Sequence, residues 1–184
     1  MANSFDDVVL SRRSVRKYER REIPPHTLGE VIDLARCAPT SMNGQPCIFI
    51  AIRERRTCRE LARIKNLYCP PEKRDYPADF LADAPVIVAV CVERRRSYGR
   101  EIENGVLASG FLLLAAASRG LSGVFLTAYN RNDPGLETSI RELLKVPEGI
   151  DPIALLPLGY GATEPPEKSL RGQDEIVRYE LFAQ

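Results

Sequence analysis

Between Val106 and Ala117 the chain reads Val-Leu-Ala-Ser-Gly-Phe-Leu-Leu-Leu-Ala-Ala-Ala, without one charged side chain. The pattern around it predicts a helix from Tyr98 to Arg119, and at 3.6 residues per turn this middle is apolar nearly all the way round. Such a helix must be covered on every side. In a chain of 184 residues the simplest cover for its second face is a partner subunit, with Ala108, Ser109 and Gly110 small enough for close approach. The alternative is a central helix wrapped within one subunit. A membrane span is excluded, because the nearly apolar run from Gly105 to Ser118 falls short of the roughly 20 residues a bilayer needs.

The rest of the chain supplies what packs on that helix. Ser4 is a good N-cap, with Asp7 three residues on, for a helix to Ser11. Pro24-Pro25 precedes a second helix, Thr27 to Cys37, whose Leu28, Val31, Ile32 and Ala35 share one face. Cys47–Arg53 reads as a strand too apolar for an edge exposed on both faces. Arg56–Ile64 reads as a helix, and 66–79 as a loop punctuated by Pro70, Pro71 and Pro77. A helical turn at Phe80–Asp83 leads into Pro85–Val92, a continuous apolar run expected to be a strand covered on both faces. A strand at 123–127, a helix from Asp133-Pro134 to Lys145, a strand at Ile153–Tyr160 and an apolar tail, Glu175–Phe182, complete one α+β domain, 1–184. The tail is too apolar to float and should pair or dock.

Net charge is +1, which gives no overall bias toward nucleic acid or membrane. Lys and Arg outnumber Asp and Glu eight to four in 53–75, and acids outnumber bases ten to five in 133–184. Such runs are usually solvated faces. Five cysteines without C-x-x-C or metal spacing, one histidine and an N-terminus without an apolar signal core lead to the expectation of a cytoplasmic protein with reduced thiols and no metal. Gly159-Tyr160-Gly161 begins like a dinucleotide fingerprint, but the third glycine is absent and Pro165-Pro166 forbids the helix that must follow. His26 follows two prolines at a helix start, far in sequence from any cysteine, so capping or surface exposure suits it better than catalysis.

Two stretches carry functional signal. Arg12-Arg13-Ser14-Val15-Arg16-Lys17-Tyr18 concentrates guanidinium forks, each able to hold two phosphate oxygens, around a small hydroxyl. It comes at a helix C-terminus, so an anion there is held by side-chain charge rather than helix amides. Read alone it is equally a solvated basic turn or a nucleic-acid patch. The second stretch, Pro39-Thr40-Ser41-Met42-Asn43-Gly44-Gln45-Pro46, gathers hydroxyl and amide side chains just before a strand.

With Leu156-Pro157-Leu158-Gly159-Tyr160 as a third station, these stretches resemble the nitroreductase family: FMN-dependent oxidoreductases that form intertwined homodimers with the flavin at the subunit interface. The resemblance implies a central, mostly antiparallel sheet flanked by helices, and NADH or NADPH as reductant. It implies that Arg12, Arg13, Ser14 and Arg16 hold FMN phosphate, ribityl and pyrimidine edge. Pro39, Thr40, Ser41, Asn43 and Gln45 reach the flavin from the other subunit, Leu126, Thr127 and Ala128 pass its N5 side, and Gly159 belongs to the strand that closes the sheet. Arg171, with Lys168 in reserve, returns to the phosphate. Flavin carries the hydride chemistry, so no catalytic side chain is required. Cys47 stands where relatives often carry an aromatic, and Pro77 and Phe80 where some place Asn and Lys against the ring. The expected reaction is reduction of a nitroaromatic, a quinone or another small electrophile by a ping-pong mechanism. The alternatives are other flavin chemistry on the same scaffold, such as flavin fragmentation, dehalogenation or peptide-azoline oxidation, and flavin binding without turnover.

Overall fold

The unbroken apolar run Val86-Ile87-Val88-Ala89-Val90-Cys91 leaves neither face of a strand fit for water, and it sets the centre of the molecule. In the computed structural model, which describes residues 4–70, 75–165 and 167–182, this run lies in a central sheet with a hydrophobic core on each side. Pro71, Pro166 and the N-terminal Met1–Asn3 of the sequence reading lie outside the described residues. The helices are α1 (Phe5–Ser11), α2 (Pro25–Ala35), α3 (Arg55–Leu67), α4 (Phe80–Asp83), α5 (Arg94–Ser97), α6 (Glu101–Ser118), α7 (Gly135–Leu144) and α8 (Gln173–Ile176). The strands are β1 (Cys47–Ile52), β2 (Val86–Glu93), β3 (Ser122–Gly123), β4 (Leu126–Thr127) and β5 (Ile150–Gly159). They form an antiparallel sheet in the order β1-β2-β5-β3, with β4 also paired to β5.

Alternation along β2 divides the cores. Val86, Val88 and Val90 pack with Val31 and Leu112 of α2 and α6, whereas Ile87, Ala89 and Cys91 pack with Leu61 and Ile140 of α3 and α7. A one-residue slip would exchange the two sets between the two cores, placing each against neighbours packed for the other. Where α6 crosses β5, a Cβ on Gly105 would stand 2.7 Å from the Ile153 side chain, and glycine there permits the close approach.

The structure departs from the sequence reading at the start of the long helix and in the strand that follows it. The helix expected from Tyr98 starts at Glu101, because Tyr98 and Gly99 are both left-handed and turn the chain between α5 and α6. The strand expected over 123–127 is split into β3 and β4 by Val124-Phe125. β1 is the edge strand, with Ile48 exposed, but as its apolar sequence requires it is not bare on both faces: Cys47 and Phe49 pack against one core and Ile50 against the other. The apolar middle of α6 is covered on one side only: Ala108, Leu112, Ala115 and Ala116 are buried, while Val106, Leu107 and Phe111 are exposed. Within one chain the tail docks nowhere, for Tyr179, Leu181 and Phe182 are exposed as well. Among the described residues, no helix is long and apolar enough to cross a membrane.

Candidate flavin site

The basic stretch leaves α1 at Arg12 and runs extended beside the end of the sheet. Ser14 bridges Gly123, the Val15 amide donates to the Gly123 carbonyl at 3.2 Å, and Tyr18 bridges Gly161. The Tyr18 hydroxyl lies 2.7 Å from the Val15 carbonyl and 3.2 Å from that of Pro157, which stitches the stretch to β5. Val15 is therefore buried while Ser14 and Arg16 face outward. Gly159 lies beneath this stitch: a Cβ on it would meet Pro85 and the Tyr18 ring at 2.7 and 2.8 Å.

Arg12 and Arg13 line a hollow of 280 Å³ with Ser122, Gly123 and Leu113. Arg13 donates to the Leu10 carbonyl at 2.6 Å, at the α1 C-terminus where the helix dipole favours a cation. Lys168 folds back to the same place, its Nζ donating to the Val9 carbonyl at 2.9 Å. Loss of solvent and the positive charges of Arg13 and Arg12 lower the Lys168 pKa from its ordinary value. Among the described residues, no carboxylate pairs with Arg12 or Lys168. Three converging cations that repel one another suit a phosphate, which would relieve the repulsion. Arg171 lies elsewhere, paired with Glu175 at 3.2 Å on the exposed tail.

Two residues beyond Ser14, Arg16 reaches a larger cleft of 630 Å³, lined also by Leu126, Thr127, Lys65, Phe80 and Tyr129. The Arg16 guanidinium stands 5.8 Å from the Phe80 ring centroid. Because the stretch and β3–β4 run side by side, the phosphate-type hollow and this cleft lie at successive positions along one edge. An elongated ligand with an anionic end and a planar end fits that order.

The loop at 39–45 is elsewhere. Pro39, Thr40, Asn43 and Gln45 line a separate hollow of 490 Å³ with Cys47 and Ala108. Met42, Asn43 and Gln45 all have left-handed backbones, a concentration of strain typical of functional segments. Two contacts from the α5–α6 corner hold this shape. Buried Asn104 accepts from the Ser41 amide at 2.9 Å and donates to the Ser97 carbonyl at 3.2 Å, and Arg96 Nε donates to the Gly44 carbonyl at 2.8 Å. Ala108 and Leu113 to Ala117 mark the two hollows on α6, which puts them on the order of 10 Å apart along the helix axis at 1.5 Å per residue. One chain does not bring loop and arginines together.

Sequence reasoning did not single out Lys65, Tyr68 and Arg131, which line the larger cleft, or Asn104, which anchors the 39–45 loop. Lys65 sits past the expected end of its helix and donates to the Thr127 carbonyl at 2.8 Å. Its position on α3 gave no motif. The signal for Asn104 was a lone amide in an otherwise apolar helix.

The Nitroreductase family profile matches residues 9–160. Over 172 residues the chain is 33% identical to a candidate NADH dehydrogenase/NAD(P)H nitroreductase of Methanothermobacter thermautotrophicus, spanning 92% of this chain and 84% of that protein. It is 28% identical over 191 residues to the iodotyrosine deiodinase of Thermotoga neapolitana, at 96% and 97% coverage. Among solved structures, a candidate NADH dehydrogenase/NAD(P)H nitroreductase from Parabacteroides distasonis superposes with a TM-score of 0.85 at 26% identity, over 98% of this chain and 99% of that one.

Proposed function

The chain belongs to the nitroreductase family, and from that premise we propose that it is an FMN-dependent homodimeric oxidoreductase, taking hydride from NADH or NADPH and passing it to a small electrophile such as a nitroaromatic or a quinone. The observation that carries the reading is the order along one edge: Arg12 and Arg13 lining one hollow, with Lys168 near enough to feel both charges, then Ser14, then Arg16 and Thr127 at the larger cleft. Bound FMN supplies the hydride chemistry at its ring N5. The protein's part is to bind, orient and exclude water. Arg12, Arg13 and Lys168 hold the phosphate, and Ser14 donates beside them. Arg16 keeps a positive charge at the cleft where reduction develops negative charge. Leu126 and Thr127 form the wall that the ring edge meets.

The uncovered face of α6 supports the dimer. A two-fold axis near Gly110 would set the exposed Leu107 and Phe111 against the same face of the partner's helix. The 39–45 loop, anchored through Asn104, would then approach the partner's arginine hollow, so each site would draw on both chains. The deiodinase relative favours a second reading, reductive dehalogenation of an aromatic on the same flavin.

The test is the absorption spectrum of the purified protein, followed by NADH or NADPH without oxygen. FMN bands bleached by either nucleotide, and restored by 4-nitrobenzyl alcohol or menadione, are expected. A protein that takes up no FMN, or whose FMN neither nucleotide bleaches, overturns the proposal. Halide release from an iodophenol, with no turnover of nitroaromatic or quinone, selects the second reading.

A further inference from the structure

The cleft of 630 Å³ has a chemical bias that the flavin reading leaves unused. Its described lining holds three cations, Arg16, Lys65 and Arg131, the aromatics Tyr68, Tyr76, Phe80, Phe125 and Tyr129, and no Asp or Glu. All of these residues belong to one chain. Arg16, Leu126 and Thr127 are assigned to the flavin above; Tyr68, Tyr129 and Arg131 are not.

These residues are built rather than incidental. The Tyr68 ring is wedged against α7: a Cβ on Gly135 would come within 2.6 Å of it, and the Ser139 hydroxyl donates to the Tyr68 hydroxyl at 3.2 Å. Such a ring is a fixed flat wall. Arg131 rides on a tight turn after β4, in which the Asn130 side chain accepts from the Asn132 amide at 3.0 Å and the Asn130 carbonyl from the Asp133 amide at 3.3 Å. Asp133 is the acid nearest to Arg131 in sequence. Its carboxylate is engaged at the start of α7, accepting from the Gly135 amide at 2.9 Å. Arg131 itself makes no hydrogen bond or ion pair among the described residues. A rigid aromatic wall beside an uncommitted guanidinium fork is complementary to a flat ring bearing a planar anion. The positive field of Arg16 and Lys65 adds to the attraction and repels a cationic ring.

We propose that this cleft selects aromatic acceptors that carry a negative charge, a carboxylate or a phenolate, and that Arg131 is the residue that recognises it. The proposal rests on the reductase reading of the same cleft but is read out separately from it. A phosphate of the nicotinamide donor offers Arg131 the same chemistry, and the test distinguishes the two sources.

The pair of probes is 4-nitrobenzoate and 4-nitrobenzyl alcohol, nearly equal in shape and different by one charge. Calorimetric Kd values on the oxidised FMN-loaded protein need no turnover. The benzoate should bind about tenfold or more tighter than the alcohol, and Arg131→Gln should erase about tenfold of that preference. Arg131→Lys, which keeps the charge and loses the fork, should retain part of it. Raising ionic strength from about 0.01 to 0.15 M shortens the screening length from about 30 to 8 Å and should narrow the preference. Equal Kd values in the unaltered protein, or a preference unchanged in Arg131→Gln, would overturn the inference. The donor source is separated by anaerobic reduction: an Arg131→Gln protein that loses affinity for NADPH relative to NADH, while its benzoate preference stands, assigns the cation to the donor's phosphate and also overturns it. Absence of nitro reduction with both probes strikes the reductase reading, whereas turnover without a charge preference strikes only this one.

Discussion

At Lys168 an ammonium is held where two guanidinium groups already stand, and its lowered pKa makes it the pH-sensitive member of the cluster proposed to hold the phosphate. A phosphate stabilises the charged form, so binding takes up a proton wherever the pH exceeds the free protein's Lys168 pKa. FMN affinity should therefore be flat near neutrality and fall as the pH climbs toward 10.5, the ordinary lysine value. In Lys168→Met the affinity should be lower throughout, and this decline should vanish. Fluorescence titration of FMN across pH checks both, and an unaltered decline in the variant removes Lys168 from the site. Arg12→Ala should weaken FMN by about one to two decades, since a charge-assisted bond contributes roughly 1.5–3 kcal/mol. The density of donors marked Arg12, Arg13, Ser14 and Arg16 as candidates in the sequence, and the structure places Arg12 and Arg13 at one hollow and Arg16 at the larger cleft. That Lys168 turns back to the Val9 carbonyl while Arg171 pairs with Glu175 was not legible, because the chain after Pro165 has no periodicity to say which side chain turns back. Lys65, Tyr68 and Arg131 were equally silent, for the cleft they line with Arg16 is assembled from residues more than a hundred positions apart.

Between elements, the most concentrated polar joint is Asp151 at the start of β5. Arg94 of α5 binds it through both Nε and NH2 at 2.6 Å, and Arg141 of α7 reaches it at 2.8 Å. Burial alone would raise its pKa, but these two arginines hold it below the ordinary carboxylate value. A depressed carboxyl contributes stability that is present above the unfolded pKa near 4 and lost as the pH falls through the folded one. Asp151→Asn should thus cost about 1–2 kcal/mol at pH 7, and the difference from the unaltered protein should narrow as the pH falls below the unfolded value near 4 in denaturant titrations. A cost that persists undiminished in acid would show packing, rather than charge, to be what matters there. The elements themselves were largely legible, because β2, α2 and α7 follow simple periodicities. What pattern could not show was the position of β1 at the sheet edge, or the break of β3–β4 at Phe125, since both depend on which neighbours arrive. The left-handed turn at Tyr98 was also hidden, because a tyrosine rarely adopts that backbone.

For the whole molecule, three apolar surfaces lack cover in one chain: the Val106, Leu107 and Phe111 face of α6, the β1 edge, and the Tyr179–Phe182 tail. Apolar patches of this kind mark an interaction surface, and obligate interfaces bury on the order of 2,000 Å² or more. Phe111→Glu places a charge at the centre of the proposed two-fold contact, where it meets its own copy. The variant should sediment as a monomer at micromolar concentration and lose FMN, because the 39–45 loop would no longer reach the arginine hollow of another chain. A monomeric variant that keeps FMN would detach the cofactor from the dimer. The kinetic consequence follows from the same geometry. The described residues provide one planar cleft beside Arg16 and no separate nucleotide domain, so donor and acceptor must use that cleft in turn. Oxidised nicotinamide, NAD+ or NADP+, should leave before the acceptor enters, giving parallel lines in double-reciprocal plots with NADH or NADPH varied against a nitroaromatic. The only histidine, His26, is exposed at the start of α2 and lines none of the three hollows described above, so His26→Ala should turn over at nearly the unaltered rate. Intersecting lines would require both substrates to be bound at once and a second binding surface, and loss of activity in a folded His26→Ala protein would place an imidazole in the chemistry.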